Sequence, residues 1–162
     1  MDKVIVTALL IIAGVAAAGL VVTTLTPIIG SSSRSVVESQ KNIASRIATD
    51  IKVIAVHPEN SSTLKVMVKN VGTENINSVE QSDVYVSDID GSRFVPLVHG
   101  SGSSDNWSVD SGDMPIWAQG KTVALTVRLS SASALESSHG YFLNFSTPNG
   151  VASQYRFKYT AP

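Results

Sequence analysis

The chain has no cysteine, so disulfides, thiol chemistry and cysteine-bound zinc are excluded. Charge is absent from most of its first fifth: Asp2 and Lys3 are the only charged residues ahead of Arg34. Over the whole chain 12 Lys and Arg stand against 13 Asp and Glu, which leaves no basic field for a nucleic acid. Catalytic signatures are missing as well. His57, His99 and His139 lie far apart, with none of the i, i+4 spacing of a helical metal site. Serines are many, but no Gly-x-Ser-x-Gly turn presents one as a nucleophile. These absences predict a non-enzyme with no cofactor, no resident metal and no small-molecule substrate.

What is present instead is a run of thirty uncharged residues, Val4 to Ser33. Its most apolar part, Val4 to Leu25, would make an α-helix of about 33 Å at 1.5 Å per residue, enough to cross a bilayer once. The run fits a cleaved signal peptide poorly, because Met1-Asp2-Lys3 carries no net side-chain charge, the apolar stretch is too long, and no Ala-x-Ala site closes it. It is therefore expected to stay in the working protein, with Met1 either the true start or the residue left behind a removed basic leader. Left in water it would aggregate, so it must sit in lipid or pack against copies of itself.

The centre of the run, Ala13-Gly14-Val15-Ala16-Ala17-Ala18-Gly19, puts small residues on more than one helix face. Small residues four apart, such as Gly14 and Ala18, let helix backbones approach closely. The residues expected to pack helix against helix are Ile5, Leu9, Ile12, Gly14, Ala18, Gly19 and Val22. Pro27 removes a backbone donor and crowds the carbonyl of Thr23, so a kink is expected there, eased by hydroxyls from Thr23, Thr24 and Thr26. Beyond Arg34 the pattern becomes amphipathic, with Val36, Ile43 and Ile47 continuing the packing stripe between charged positions. The shaft is read as residues 1–50, about 70 Å long if continuous, which no small domain of the same chain can bury.

From Ile51 the hydrophobic period changes from helical to two. Ile51 to His57, Thr63 to Asn70, Asp83 to Ser87, Arg93 to Val98, Lys121 to Leu129, Tyr141 to Thr147 and Ser153 to Tyr159 read as strands. Asn70-Val-Gly72, Asp90-Gly91, His99-Gly-Ser-Gly102, Gln119-Gly120 and Pro148-Asn-Gly150 punctuate them as turns. The fold class is accordingly α+β: a long N-terminal helix, then an all-β domain over 51–162, most simply an Ig-like or Greek-key sandwich, with an open barrel as the alternative. The stretch Ser101 to Asp113 is expected to be the longest loop. Asp105, Asp110 and Asp113 there are read as solvated acids rather than cation ligands, and Asp88-Ile-Asp90-Gly91 as a hairpin rather than a calcium loop. Asn60, Asn106 and Asn144 each head an N-glycosylation sequon, with Asn60 and Asn106 the better candidates because Asn144 lies within a strand. Trp117 is expected in the core, and Trp107 is open to a partner.

Both halves resemble the archaellum proteins, meaning the archaellins of the archaeal swimming filament and their stator-type accessory relatives, within the wider type IV pilin-like group. The N-terminal half is similar to the family's hydrophobic helix running into an amphipathic one. In the β half the resemblance rests on Ile51-Lys-Val-Ile-Ala-Val56, on Leu64-Lys-Val-Met-Val-Lys-Asn-Val-Gly72, and on Asn149-Gly-Val-Ala-Ser-Gln-Tyr-Arg-Phe157. It implies a structural subunit made in the membrane, freed by a prepilin-type peptidase, turned by motor and platform proteins outside this chain, and polymerised as an extracellular filament with the β domains outermost. The family's short basic leader does not precede Val4 here, which keeps open a second expectation: a membrane-anchored accessory protein whose β domain grips the cell envelope.

Overall fold

The computed structural model describes residues 2–102, 105–111 and 114–161. It divides into two compact units, Met1–Ile43 and Ala44–Pro162. A single helix, α1 (Asp2–Ala48), fills the first unit and supplies the opening turn of the second. The strands are β1 (Ile51–Asn60), β2 (Thr63–Asn70), β3 (Ile76–Asn77), β4 (Asp83–Asp88), β5 (Phe94–His99), β6 (Asn106–Val109), β7 (Ile116–Trp117), β8 (Thr122–Arg128), β9 (Gly140–Ser146) and β10 (Ala152–Lys158). Short 3-10 turns lie at Val79–Gln81 and Ser131–Ser133.

The helix runs through Pro27 without a break in its assignment. The expectation for the neighbouring threonines needs correction in detail. Their hydroxyls donate to carbonyls one turn back, Thr23 to Gly19 at 3.1 Å, Thr24 to Leu20 at 2.9 Å and Thr26 to Val22 at 2.7 Å, and not to the Thr23 carbonyl that Pro27 leaves without a donor. Bonded this way, each hydroxyl is satisfied within its own helix, so the threonines do not interrupt the apolar surface.

In the second unit eight strands join in the order β1-β2-β8-β6-β5-β4-β9-β10, and β3 pairs with β7 in a separate ribbon. All pairings are antiparallel except β5 with β6, which is parallel through Val98 and His99. The inward residues of both halves of the eight-strand order build one core: Leu64, Val66 and Val68 of β2 and Val123, Leu125 and Val127 of β8 belong to it with Val84 and Val86 of β4 and Leu143 and Phe145 of β9. Outer strands β1 and β10 approach each other, with the Val53 N–H donating to Ser153 Oγ at 3.0 Å. The arrangement has features of both expected architectures, a two-layer packing formed by one curled sheet. Phe145 stands edge-on to Trp107 and to Trp117, with ring centroids 6.0 Å apart in each pair, a geometry worth about 1 kcal/mol per pair beyond the buried area.

Two expectations are revised here. Within the stretch expected as the longest loop, the described residues include a strand, β6 (Asn106–Val109), which inserts Trp107, fully buried, into the core. Trp107 is therefore core, like Trp117, and not a free anchor for a partner. The short ribbon β3 and β7 was not foreseen.

Candidate assembly surface

No residue of α1 is buried. Ile5, Leu9, Ile12, Gly14, Ala18, Gly19, Val22, Val36, Ile43 and Ile47 are all exposed, as their proposed packing role requires. At 3.6 residues per turn, Ile5, Leu9, Ile12 and Gly19 share one face, while Gly14, Ala18, Val36 and Ile43 fall roughly opposite. A bilayer or a ring of neighbouring helices satisfies both faces; a single partner helix covers one. A side chain built at Gly14 or Gly19 would meet nothing within 4 Å in the isolated chain, so no contact within the chain calls for glycine at either position.

The last turn of α1, which belongs to the second unit, is held there by a set of bonds that sequence reading did not assign. The Thr73 N–H donates to the Ala48 carbonyl at 2.8 Å, and the Val71 and Gly72 N–H groups both donate to the Asp50 carbonyl at 2.9 Å. Gly72 lies so close that an added Cβ would fall 2.6 Å from the Ala48 oxygen. Asn70, fully buried, shapes this turn: its Oδ1 accepts from the Gly72 N–H at 3.1 Å and its Nδ2 donates to the Glu74 carbonyl at 2.8 Å. From the other side, Asn149 Nδ2 donates to Thr49 Oγ1 at 2.6 Å and Arg46 donates to the Gly150 carbonyl at 3.3 Å. The segments that carried the family resemblance, Asn70-Val-Gly72 and Asn149-Gly150, are thus the two clasps on the helix end. The Ala48 carbonyl, left open by the helix terminus, is capped by the Thr73 N–H that follows the first clasp.

The sequons separate by burial. Asn60 is exposed at the end of β1, its Oδ1 accepting from the Ser62 N–H at 2.8 Å. Asn106 is 3% exposed and donates to the Gly102 carbonyl; Asn144 is 8% exposed in mid-strand. Of the three, Asn60 alone is exposed in the folded domain.

The acids have structural employment. Asp105 accepts from the Ser130 N–H at 2.8 Å and from Ser133 Oγ at 2.9 Å, fixing the 3-10 turn. Asp110 pairs with Lys65 at 2.8 Å, and Asp113 lies outside the described residues. At the β4–β5 hairpin, Asp88, Asp90 and His139 bring ligand-type atoms within 4.8 Å of one another, a juxtaposition that strand-end histidines did not announce. Asp88 already receives Ser92 Oγ at 3.0 Å and Arg93 at 3.4 Å, and Asp90 caps the Ser92 N–H at 3.1 Å. Those bonds account for both carboxylates as parts of the turn.

No protein-family model and no curated protein matches the chain. Among solved structures, the chain is 28% identical to the archaellum periplasmic stator protein FlaG from Sulfolobus acidocaldarius, over 67% of this chain and 99% of that one, with a TM-score of 0.59. A second structure, the FlaF and FlaG stator complex of the same organism, also aligns at 28% identity over 66% of this chain and 87% of that one, with a TM-score of 0.58. The archaeal flagellum of Methanospirillum hungatei strain JF1 matches 96% of this chain and 93% of its own at a TM-score of 0.69 and 12% identity. A long exposed helix joined to a β domain of this topology defines the archaellin-like fold. The resemblance read from the sequence stands: the chain is similar to archaellum proteins, filament subunit and stator alike, and these neighbours are structural components.

Proposed function

We propose that this chain is a self-assembling structural subunit of an archaellum, packing α1 against the helices of sister copies and holding its β domain outside the membrane. The observation that carries the reading is a 47-residue helix with no buried residue and small residues on opposed faces. Burying the apolar side chains among the 22 residues from Val4 to Leu25, at roughly 25 cal/mol per Å², is worth tens of kcal/mol against water. Against lipid the gain is far smaller and comes from close packing, which is the contribution Gly14, Ala18 and Gly19 would make.

Of the two places such a subunit could hold, sequence likeness supports the stator: 28% identity to FlaG over 67% of this chain contrasts with 12% to the filament over 96% of it. In that place the chain stays with the cell envelope, and a FlaF-type chain becomes the natural partner. The filament shaft is the second reading, favoured because the match to the flagellum extends over 96% of the chain, helix included. There a peptidase would free the subunit from the membrane and a motor would turn the polymer.

Electron microscopy of material sheared from cells, combined with the N-terminal residue of the purified chain, tests both places. The stator reading expects the protein in envelope fractions as multimers. The shaft reading expects it in sheared filaments. Recovery as a dispersed monomer with α1 embedded in detergent would defeat self-assembly in either place.

A further inference from the structure

Strands β5, β4, β9 and β10 lie side by side, and their register sets the outward side chains in rows across the sheet. One row runs Phe94, Ser87, Phe142, Arg156, and the next runs Pro96, Tyr85, Asn144, Gln154. Phe94 is 61% exposed and packs on Tyr85 with ring centroids 4.7 Å apart, and Phe142 is half-buried. Asn144 is the exception among these outward residues. Its neighbours Leu143 and Phe145 belong to the core, which turns Asn144 outward, yet it is only 8% exposed. It lies on the floor of the face, below the side chains around it. Among the described residues its side-chain amide makes no hydrogen bond, and it is not one of the fully enclosed unpartnered groups, so it opens to the outside. A nearly buried amide without a partner is unusual in a folded protein, and a ligand can supply the missing bonds.

Beyond the first row the same face carries a depression of about 420 Å³, lined by Ile89, Ser138, Gly140, Arg156, Phe157 and Lys158. Two cations and no carboxylate line it. Ile89 packs directly over Gly140, where an added Cβ would collide with it. Arg156 and Lys158 are exposed, and among the described residues neither forms an ion pair. The acids of this face are placed elsewhere. Asp83 is opposite Ser146, four residues from Ser87 and so about 13 Å along the strand. Asp90, in the hairpin turn, caps the Ser92 N–H and does not line the depression.

We infer that this face binds an acidic sugar, with its carboxylate between Arg156 and Lys158, its ring on Phe142 and a hydroxyl at the Asn144 amide. Unpaired guanidinium and ammonium groups take a carboxylate through charge-assisted hydrogen bonds, the guanidinium two at once. An aromatic ring offers an apolar, electron-rich face to the C–H groups of a sugar. An amide can both donate to a hydroxyl and accept from one. Arg156 and Asn144 stand in adjacent rows, about 7 Å apart along the strand direction, a span that one hexuronic acid residue covers from carboxylate to ring hydroxyl. A simple anion would leave Asn144 unpaired, and a neutral sugar would leave both cations without a counter-charge. The site lies on a single β domain, so it is independent of whether lipid or sister helices satisfy α1.

Retention on sugar-bearing beads tests this site. The full-length chain, in a detergent without a sugar headgroup, is passed over beads bearing trigalacturonate, maltotriose or a plain carboxymethyl group at equal density. Retention on trigalacturonate should exceed that on either other bead by roughly tenfold, the worth of one charge-assisted contact, and free trigalacturonate should displace the chain. Arg156→Gln with Lys158→Gln should cut retention by a similar factor, and Asn144→Ser several-fold with the β domain still folded by thermal melting. Lys52 and Lys69 are cross-strand partners on β1 and β2; Lys52→Gln with Lys69→Gln removes the same charge there and should change nothing. Equal retention on carboxymethyl beads, or an equal loss from the Lys52 and Lys69 pair, means plain ion exchange and overturns the proposal. Equal retention on maltotriose overturns it by removing the carboxylate's part. Undiminished binding by folded Asn144→Ser, or passage of the parent chain through all three beads, overturns it as well.

Discussion

Gly72 presses against the last carbonyl of the helix: a Cβ at this position would sit 2.6 Å from the Ala48 oxygen. The Ala48 oxygen is a backbone atom and a Cβ is fixed to the Gly72 backbone, so neither side can give way without moving the helix end or the β2–β3 turn. Gly72→Ala is therefore expected to destabilise the second unit by about 1–3 kcal/mol, the usual range for overpacking, and to loosen the helix terminus first. Thermal unfolding followed by near-ultraviolet dichroism checks the size of the loss, and hydrogen exchange at Val71, Gly72 and Thr73 checks the place.

Gly14→Leu and Ala18→Leu should act in the opposite manner. Gly14 has no neighbour within 4 Å in the single chain, and Ala18 is exposed on the same helix. Both variants should keep the melting behaviour of the β domain and lose assembly. Assemblies indistinguishable from those of the parent chain, measured by electron microscopy on both variants, would remove these residues from the packing surface.

Any N-linked sugar on the mature chain is expected on Asn60. Peptide mapping by mass spectrometry should find Asn106 and Asn144 unmodified, since both amides are buried in the sheet. Asn60→Gln should then abolish the whole glycan mass shift.

Asp110 provides a pH test. Partial burial raises its pKa, but hydrogen bonds from Lys65 and Thr126, with the charges of Lys65 and Arg128, outweigh that and hold it below the ordinary 3.8. A lowered folded value means that the contribution is present above the unfolded pKa and lost as pH falls through the folded one. With the two side chains 38% and 30% exposed, solvent screening keeps that contribution below about 1 kcal/mol. The parent chain should lose a little more stability than Asp110→Asn below about pH 4, measured as the shift of the unfolding midpoint between neutral and acid buffer.

The helix and the long strands were legible because their periods are unambiguous. Val36, Ile43 and Ile47 keep a helical spacing, and Leu64, Val66 and Val68 alternate, so β2 was read at its observed bounds, Thr63–Asn70. Strand β6 was hidden because Asn106-Trp-Ser-Val109 is short, polar in composition, and set in a serine- and glycine-rich stretch. Its place is fixed by tertiary pairing with β8, Trp107 opposite Val127, and by the packing of Trp107 on Phe145. The two-residue strands β3 and β7 are too brief to carry any period. Asn70-Val-Gly72 was visible as turn chemistry, but its service to the helix end was not, because that depends on Ala48 and Asp50 arriving from a distant part of the chain. The pairing of Lys52 with Lys69 also required the register, since the two are neighbours only across strands.

Sedimentation equilibrium of the full chain, extracted in mild, density-matched detergent, puts the central claim to its most direct test. If α1 is satisfied by sister helices, the protein mass should be a multiple of 17.1 kDa that falls toward monomer in Gly14→Leu. A single species at the monomer mass, unchanged by that substitution, would show that lipid alone satisfies the helix and contradict the account.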